Sequence, residues 1–173
     1  MTTKKIIVTG PESTGKTVLC EFLSEYFEGL WIPEYARQYI EKLDGSYKKN
    51  DVVEIGKKQI EQWNRNYNDH EWVFFDTGLV ITKVWMELVY NESPAWISKA
   101  LSDYKPDLVL LCFPDLAWEP DPVRENGGSM RDHLFSMYEQ NLDQLGYSYY
   151  IVKGESDQRN RNAVNAINNH FKR

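Results

Sequence analysis

The stretch GPESTGKT, Gly10 to Thr17, follows the apolar run Ile6, Ile7 and Val8. After it, Val18, Leu19, Phe22, Leu23, Tyr26 and Phe27 recur at helical spacing. A strand, a loop bounded by glycines and then a helix form the arrangement in which backbone amides close round a phosphate. Gly10 and Gly15 let the backbone wrap an anion without side-chain clashes. Lys16 offers a point charge to β- and γ-phosphates, and the Thr17 hydroxyl suits Mg²⁺. The expected nucleotide contacts are Gly10, Glu12, Ser13, Thr14, Gly15, Lys16, Thr17 and Val18.

Outward from that loop, short apolar runs alternate with helical patterns. Strands are expected at 6–9, 30–33, 72–76, 108–113 and 149–152, and helices at 51–67, 79–90, 95–102, 130–145 and 157–171. Strands separated by helices imply a parallel sheet covered on both faces, an α/β/α sandwich in three layers. Right-handed crossovers bring the strand tips to one edge, where ligands bind. The 173 residues suit one domain, with a mobile lid over about 114–131, where Pro, Asp and Glu are frequent.

A net charge of −6 argues against a broad nucleic-acid surface and leaves room for a small anion in one cleft. Cys20 and Cys112 lie in apolar runs and read as buried thiols. No apolar run reaches signal-peptide or membrane-spanning length, so a soluble cytoplasmic protein without a membrane partner is expected, with a homo-oligomer possible.

Asp76 ends the run Trp72 to Phe75, the usual place for a second carboxylate that supports Mg²⁺; its competing role is a helix N-cap. Thr77 follows it, where many ATP-hydrolysing machines have a glutamate, and no guanine-reading Asn-Lys-x-Asp stretch is present. The group that attacks the γ-phosphate therefore comes from a bound substrate, which points to a small-molecule kinase. In WIPEYARQYIEK, Glu34 sits at a strand tip, where a carboxylate can orient an alcohol and accept its proton. Arg37, one helical turn on, steadies Glu34 or meets the substrate; a local surface ion pair is the alternative.

In WEPDPVRENGGSMRD, Ser129 and Asp132 have capping-box spacing, which predicts a helix from about Met130. Arg131 then occupies the first turn, where the dipole disfavours a cation unless an anion binds. Arg124 joins it from the loop, with hinge freedom at Gly127 and Gly128; the competing reading is a surface loop with ordinary ion pairs. Trp85, Trp118, Tyr35 and Tyr39 lie near these segments and are candidates for stacking on a base. His70, His133 and His170 lack metal-ligand spacing.

GPESTGKT, WIPEYAR, FFDT and PDLAWEPDPVRENGGSMR occur in that order over most of the chain. Together they resemble the ribosylnicotinamide kinase domain of NadR and the wider NadR-like P-loop ATPase/kinase family. The resemblance implies a five-stranded fold of the nucleoside/nucleotide-kinase type. It also implies ATP and Mg²⁺ as cofactors, and phosphorylation of the ribose 5′-hydroxyl of nicotinamide riboside. By position, Lys16, Glu34, Asp76, Arg124 and Arg131 would be catalytic, and Thr17 and Asp76 would serve the metal. Glu34, Tyr35, Arg37, Gln59, Asp76, Thr77 and Trp118 would form the acceptor site. Two features depart from the family. Its bifunctional members carry a nucleotidylyltransferase domain ahead of the kinase, whereas a kinase domain alone is expected here. Its lid has glycine after the aspartate, where this chain has Pro122 after Asp121. Another nucleoside or nucleotide as acceptor, or an ATP-binding regulatory module with little turnover, are the competing expectations.

Overall fold

A computed structural model of the chain describes residues 2–120 and 126–172. Every expected strand forms, and the five associate in parallel in the order β2-β3-β1-β4-β5. They are β1 (Lys4–Thr9), β2 (Leu30–Ile32), β3 (Trp72–Asp76), β4 (Leu108–Cys112) and β5 (Tyr149–Val152). Among the described residues, seven helices connect or follow them: α1 (Lys16–Tyr26), α2 (Tyr35–Ile40), α3 (Lys49–Trp63), α4 (Leu79–Tyr90), α5 (Ala95–Asp103), α6 (Met130–Leu145) and α7 (Ser156–Phe171).

β3 and β4 are buried at every position, as strands flanked by neighbours and covered on both faces must be. Successive residues serve opposite faces. Ile7, Val73, Phe75, Val109 and Leu111 join one core cluster with residues of α4, α5 and α6. Ile6, Val8, Phe74, Leu108 and Leu110 join the other, with Leu19, Cys20 and Leu23 of α1 and Ala163, Val164 and Ile167 of α7. Each fully buried aliphatic side chain contributes about 1.5–3 kcal/mol, so the central strands anchor the fold.

The element ends differ slightly from expectation, for identifiable reasons. β1 starts at Lys4 because Lys4 and Lys5 pair with Trp72 and Val73, while their ammonium groups reach Glu71 Oε1 (2.6 Å) and the Trp63 carbonyl (2.6 Å). α3 starts earlier, at Lys49, because the Asp51 carboxylate accepts the Lys48 N–H at 2.6 Å. α6 begins at Met130 as its spacing predicts, yet the Ser129 side chain caps nothing. Ser129 is already helical (φ −63°, ψ −17°), and the Gly127 and Gly128 carbonyls take the N–H groups of Met130 and Arg131. A glycine turn replaces the expected capping box. Among the described residues, no helix is long and apolar enough to cross a membrane.

The sheet order brings the C-terminal ends of β1, β2 and β3 to one edge. Gly10, Glu34 and Asp76 stand there.

Candidate active site

The phosphate loop is shaped by residues that tolerate positive φ. Gly10 has φ +138°, and a Cβ there would lie 2.7 Å from the Cys112 carbonyl oxygen. Gly15, with φ 71°, stands at the N-terminus of α1. Ser13 also takes a left-handed conformation, φ 53°. The Pro11 carbonyl accepts both the Thr14 hydroxyl and the Lys16 ammonium, each at 2.8 Å. Inside this curl the amides and the start of α1 favour an anion.

Behind the loop, the Thr17 hydroxyl donates to Asp76 Oδ2 at 2.6 Å. Asp76 is 2% exposed and its Oδ1 is buried without a protein partner. Burial raises the pKa of this carboxyl, against the pull of the Thr17 hydrogen bond and the Lys16 charge. A buried carboxylate oxygen with unused lone pairs, beside a hydroxyl and a phosphate loop, fits a hard divalent cation such as Mg²⁺. Glu34 is the residue before α2, and its side chain makes no capping bond. Burial raises its pKa too, opposed first by Lys16, while Asp76 adds to the rise. Glu34 thus senses the Asp76 charge, and both carboxylates sense the same ammonium.

The loop opens into a cavity of about 380 Å³. Gly10 to Val18 and Glu34 line one part; Ala36, Ile40, Tyr47, Ile81, Val84 and Trp85 line another. Tyr47 and Trp85 meet edge to face, with centroids 4.6 Å apart, and the Trp85 indole N–H donates to the Tyr47 hydroxyl at 3.1 Å. Leu134 and Tyr138 of α6 also line the cavity. The Tyr138 hydroxyl stays protonated, because burial and then the Glu34 charge push its pKa up.

All eight expected nucleotide contacts border this cavity, as do Glu34 and Arg37. Asp76 reaches it through Thr17. The remaining expected residues, and Arg37 itself, make other contacts. Arg37 Nε donates to Glu41 Oε1 at 2.9 Å, an exposed pair one turn along α2. Tyr35 packs beside Tyr39, at 6.0 Å between rings. Gln59 is buried between helices, accepting the Thr82 hydroxyl at 2.6 Å, and with Thr77 it lines a separate cavity of about 30 Å³. Trp118 lies close to Gly127. The Arg131 guanidinium donates to the carbonyls of Leu116 (2.8 Å) and Ser13 (3.0 Å), so it braces the loop's backbone. Arg124 lies outside the described residues, as do Asp121 and Pro122 of the expected lid.

Other contributors had weak signals in the sequence or none. Asn126 uses its N–H and its amide to hold both Glu12 carboxylate oxygens, at 2.9 and 3.2 Å. Tyr47 comes from an irregular stretch, and Tyr138 from an ordinary apolar stripe of α6. Arg159 lies in a polar helix, yet is 4% exposed and donates to the Thr14 carbonyl at 2.8 Å. Only its placement by the fold shows these roles.

Known proteins share this fold. The chain is 24% identical over 138 residues to the trifunctional NAD biosynthesis/regulator protein NadR of Salmonella typhimurium, covering 76% of the chain and 33% of that protein. Against NadR of Escherichia coli it is 24% identical over 149 residues, covering 80% and 36%. The chain thus spans about a third of the length of these relatives. A crystal structure of NadR in complex with NR superposes with a TM-score of 0.82 at 22% identity, covering 99% of this chain and 51% of that one. NadR in complex with NAD and AMP-PNP gives 0.80 at 23%, covering 97% and 49%. Thymidylate kinase from Ehrlichia chaffeensis gives 0.65 at 14% identity, covering 96% and 98%, which extends the shared fold to nucleotide kinases. The model of the AAA domain family AAA_28 matches residues 5–159, from β1 into the first turn of α7. The chain belongs to that family and is homologous to NadR.

Proposed function

We propose that the chain is an ATP-dependent small-molecule kinase that phosphorylates the ribose 5′-hydroxyl of nicotinamide riboside. The observation that carries this reading is the joint cavity. The phosphate loop, the strand-tip carboxylate of Glu34 and an aromatic-walled chamber share one space of about 380 Å³, a volume suited to a nucleoside beside a phosphate tail, and Asp76 reaches it through Thr17. The NadR structures with NR and with NAD and AMP-PNP support both halves of that reading.

Each residue has a role that follows from its placement. The loop amides and Lys16 meet the phosphates and the charge that develops on the transferred group. Glu34 orients the acceptor hydroxyl and takes its proton late, because a loose transition state demands little early deprotonation. Asp76 and Thr17 would hold Mg²⁺, which neutralises phosphate charge when bound. The apolar walls from α2 and α4 exclude water, so the acceptor competes with hydrolysis. Tyr47 and Trp85 offer aromatic surface to a flat cationic ring.

The test is a panel of nucleosides incubated with Mg-ATP, read as ADP release, with Lys16→Ala as the folded control. Nicotinamide riboside should give the highest kcat/KM, and Lys16→Ala should lose at least a hundredfold in turnover. Turnover with a different nucleoside alone would keep the kinase and discard the named acceptor. ATP binding without turnover on any nucleoside would make the chain a nucleotide-binding regulatory module.

A further inference from the structure

α7 carries an arginine that the phosphoryl-transfer chemistry does not use. Arg159 is 4% exposed, although a guanidinium is among the costliest groups to bury. Its Nη1 donates to Asp115 Oδ1 (2.8 Å) and the Gly154 carbonyl (2.7 Å); its Nη2 donates to the carbonyls of Thr14 and Phe113, both at 2.8 Å. Asp115 in turn accepts the Gly154 N–H at 2.7 Å. One side chain thereby ties the phosphate loop, the exit of β4 and the turn before α7 into a single unit.

The bond to Thr14 has a directional consequence. A trans peptide is planar, and its C=O and N–H point opposite ways. The Thr14 carbonyl belongs to the same peptide unit as the Gly15 N–H. Drawing the carbonyl out towards Arg159 turns the Gly15 N–H into the curl of the loop. Arg131 acts alike on the preceding unit, since its Nη2 takes the Ser13 carbonyl at 3.0 Å and so directs the Thr14 N–H. A phosphate loop binds only while successive amides converge. Thr14 is wholly buried, so without its guanidinium donor this carbonyl would have to turn to find another.

We propose that Arg159 is a positioning residue for nucleotide binding, holding the Thr14–Gly15 peptide so that the Gly15 N–H faces the phosphates. This rests on the reading of Gly10 to Thr17 as a nucleotide site and is independent of which acceptor is used. Arg159 needs no contact with the ligand. A lysine cannot replace it, because one ammonium does not reproduce the planar fork that serves three carbonyls and a carboxylate.

The experiment compares wild type, Arg159→Lys, Arg159→Met and Asp115→Asn, each shown to be folded at 10 °C by circular dichroism. ADP affinity is measured by calorimetry, and the Gly15 amide is followed by ¹H–¹⁵N NMR. Wild type should shift the Gly15 amide proton downfield as ADP binds. Both Arg159 variants should bind ADP about ten- to a hundredfold more weakly, with that shift reduced. Asp115→Asn, which leaves the Thr14 bond in place, should lose less. If Arg159→Met does not fold, Arg159→Lys decides. Folded Arg159 variants with wild-type ADP affinity and the wild-type Gly15 shift would overturn the proposal, as would a wild type that does not bind ADP. A wild type that binds ADP but phosphorylates no nucleoside removes the kinase reading, and the variants still decide this one.

Discussion

Adding one methyl group at Gly10 tests whether the phosphate loop depends on close approach to β4. The Cβ of Gly10→Ala would sit 2.7 Å from the Cys112 carbonyl oxygen and 3.2 Å from its nitrogen, where ordinary contact begins at 3.4 Å. Backbone cannot swing aside as a side-chain tip can, so the loop must retreat by about 0.7 Å, the gap between those distances. A misplacement of about 1 Å costs on the order of a hundredfold in a positioned site, so ADP affinity should fall roughly ten- to a hundredfold. Stability falls as well. Positive φ costs about 1–2 kcal/mol for alanine, and overpacking about 1–3 kcal/mol. Their sum lowers Tm by roughly 5–15 °C in a domain of this size. Gly29→Ala is the control. Its Cβ would meet the Trp72 carbonyl and Cβ at 2.8 Å, at the start of β3, which predicts comparable overpacking without a shifted phosphate loop. Calorimetric titration with ADP at 10 °C, paired with thermal denaturation, separates the two effects. Equal affinity in Gly10→Ala and wild type, or equal affinity losses in the two variants, would refute the reasoning.

Glu34→Gln should cut kcat about a hundredfold or more while ADP affinity persists, measured by initial rates and calorimetry. Its pH behaviour also has a sign. A carboxyl whose folded pKa is raised is favourable below its unfolded pKa, and that contribution is lost as pH rises through the folded value. The Tm of Glu34→Gln relative to wild type should therefore climb as pH rises from about 4.5 to neutrality, and a pH-independent difference would count against a buried charge. Trp85→Ala should raise the acceptor KM about tenfold or more and leave the KM for ATP within about twofold, as steady-state kinetics on both substrates would show. A matching rise in both constants would remove Trp85 from the acceptor side.

Features written in consecutive residues were legible in the sequence. Ile6 to Thr17 contains its own strand, turn and helix start, and FFD at 74–76 ends its strand on the carboxylate that accepts the Thr17 hydroxyl. The acceptor side was legible only in part, because its walls come from segments that meet only when the sheet forms. Tyr47 precedes α3 and Trp85 lies in α4, and nothing local announces that they share a cavity. Gln59 and Thr77 occupied plausible positions in sequence but line a separate, smaller cavity, with Gln59 bonded to Thr82 of α4. Arg131 illustrates a subtler limit. Its unfavourable place in a first helical turn was visible, but not that its guanidinium would donate to the backbone carbonyls of Ser13 and Leu116.

The central position of β1 also bears on synthesis. β1 finds its partners, β3 and β4, only after residues 72–76 and 108–112 have emerged from the ribosome. The brace from Arg159 to Thr14 closes later still, across 145 positions of sequence. At about 5–20 residues per second, the phosphate loop waits on the order of ten seconds after its own synthesis for the Arg159 brace. A nascent chain halted before α7 would own the whole GPESTGKT motif and still lack the fold-imposed orientation of its amides. On the positioning role proposed for Arg159, nucleotide capture would wait until α7 docks.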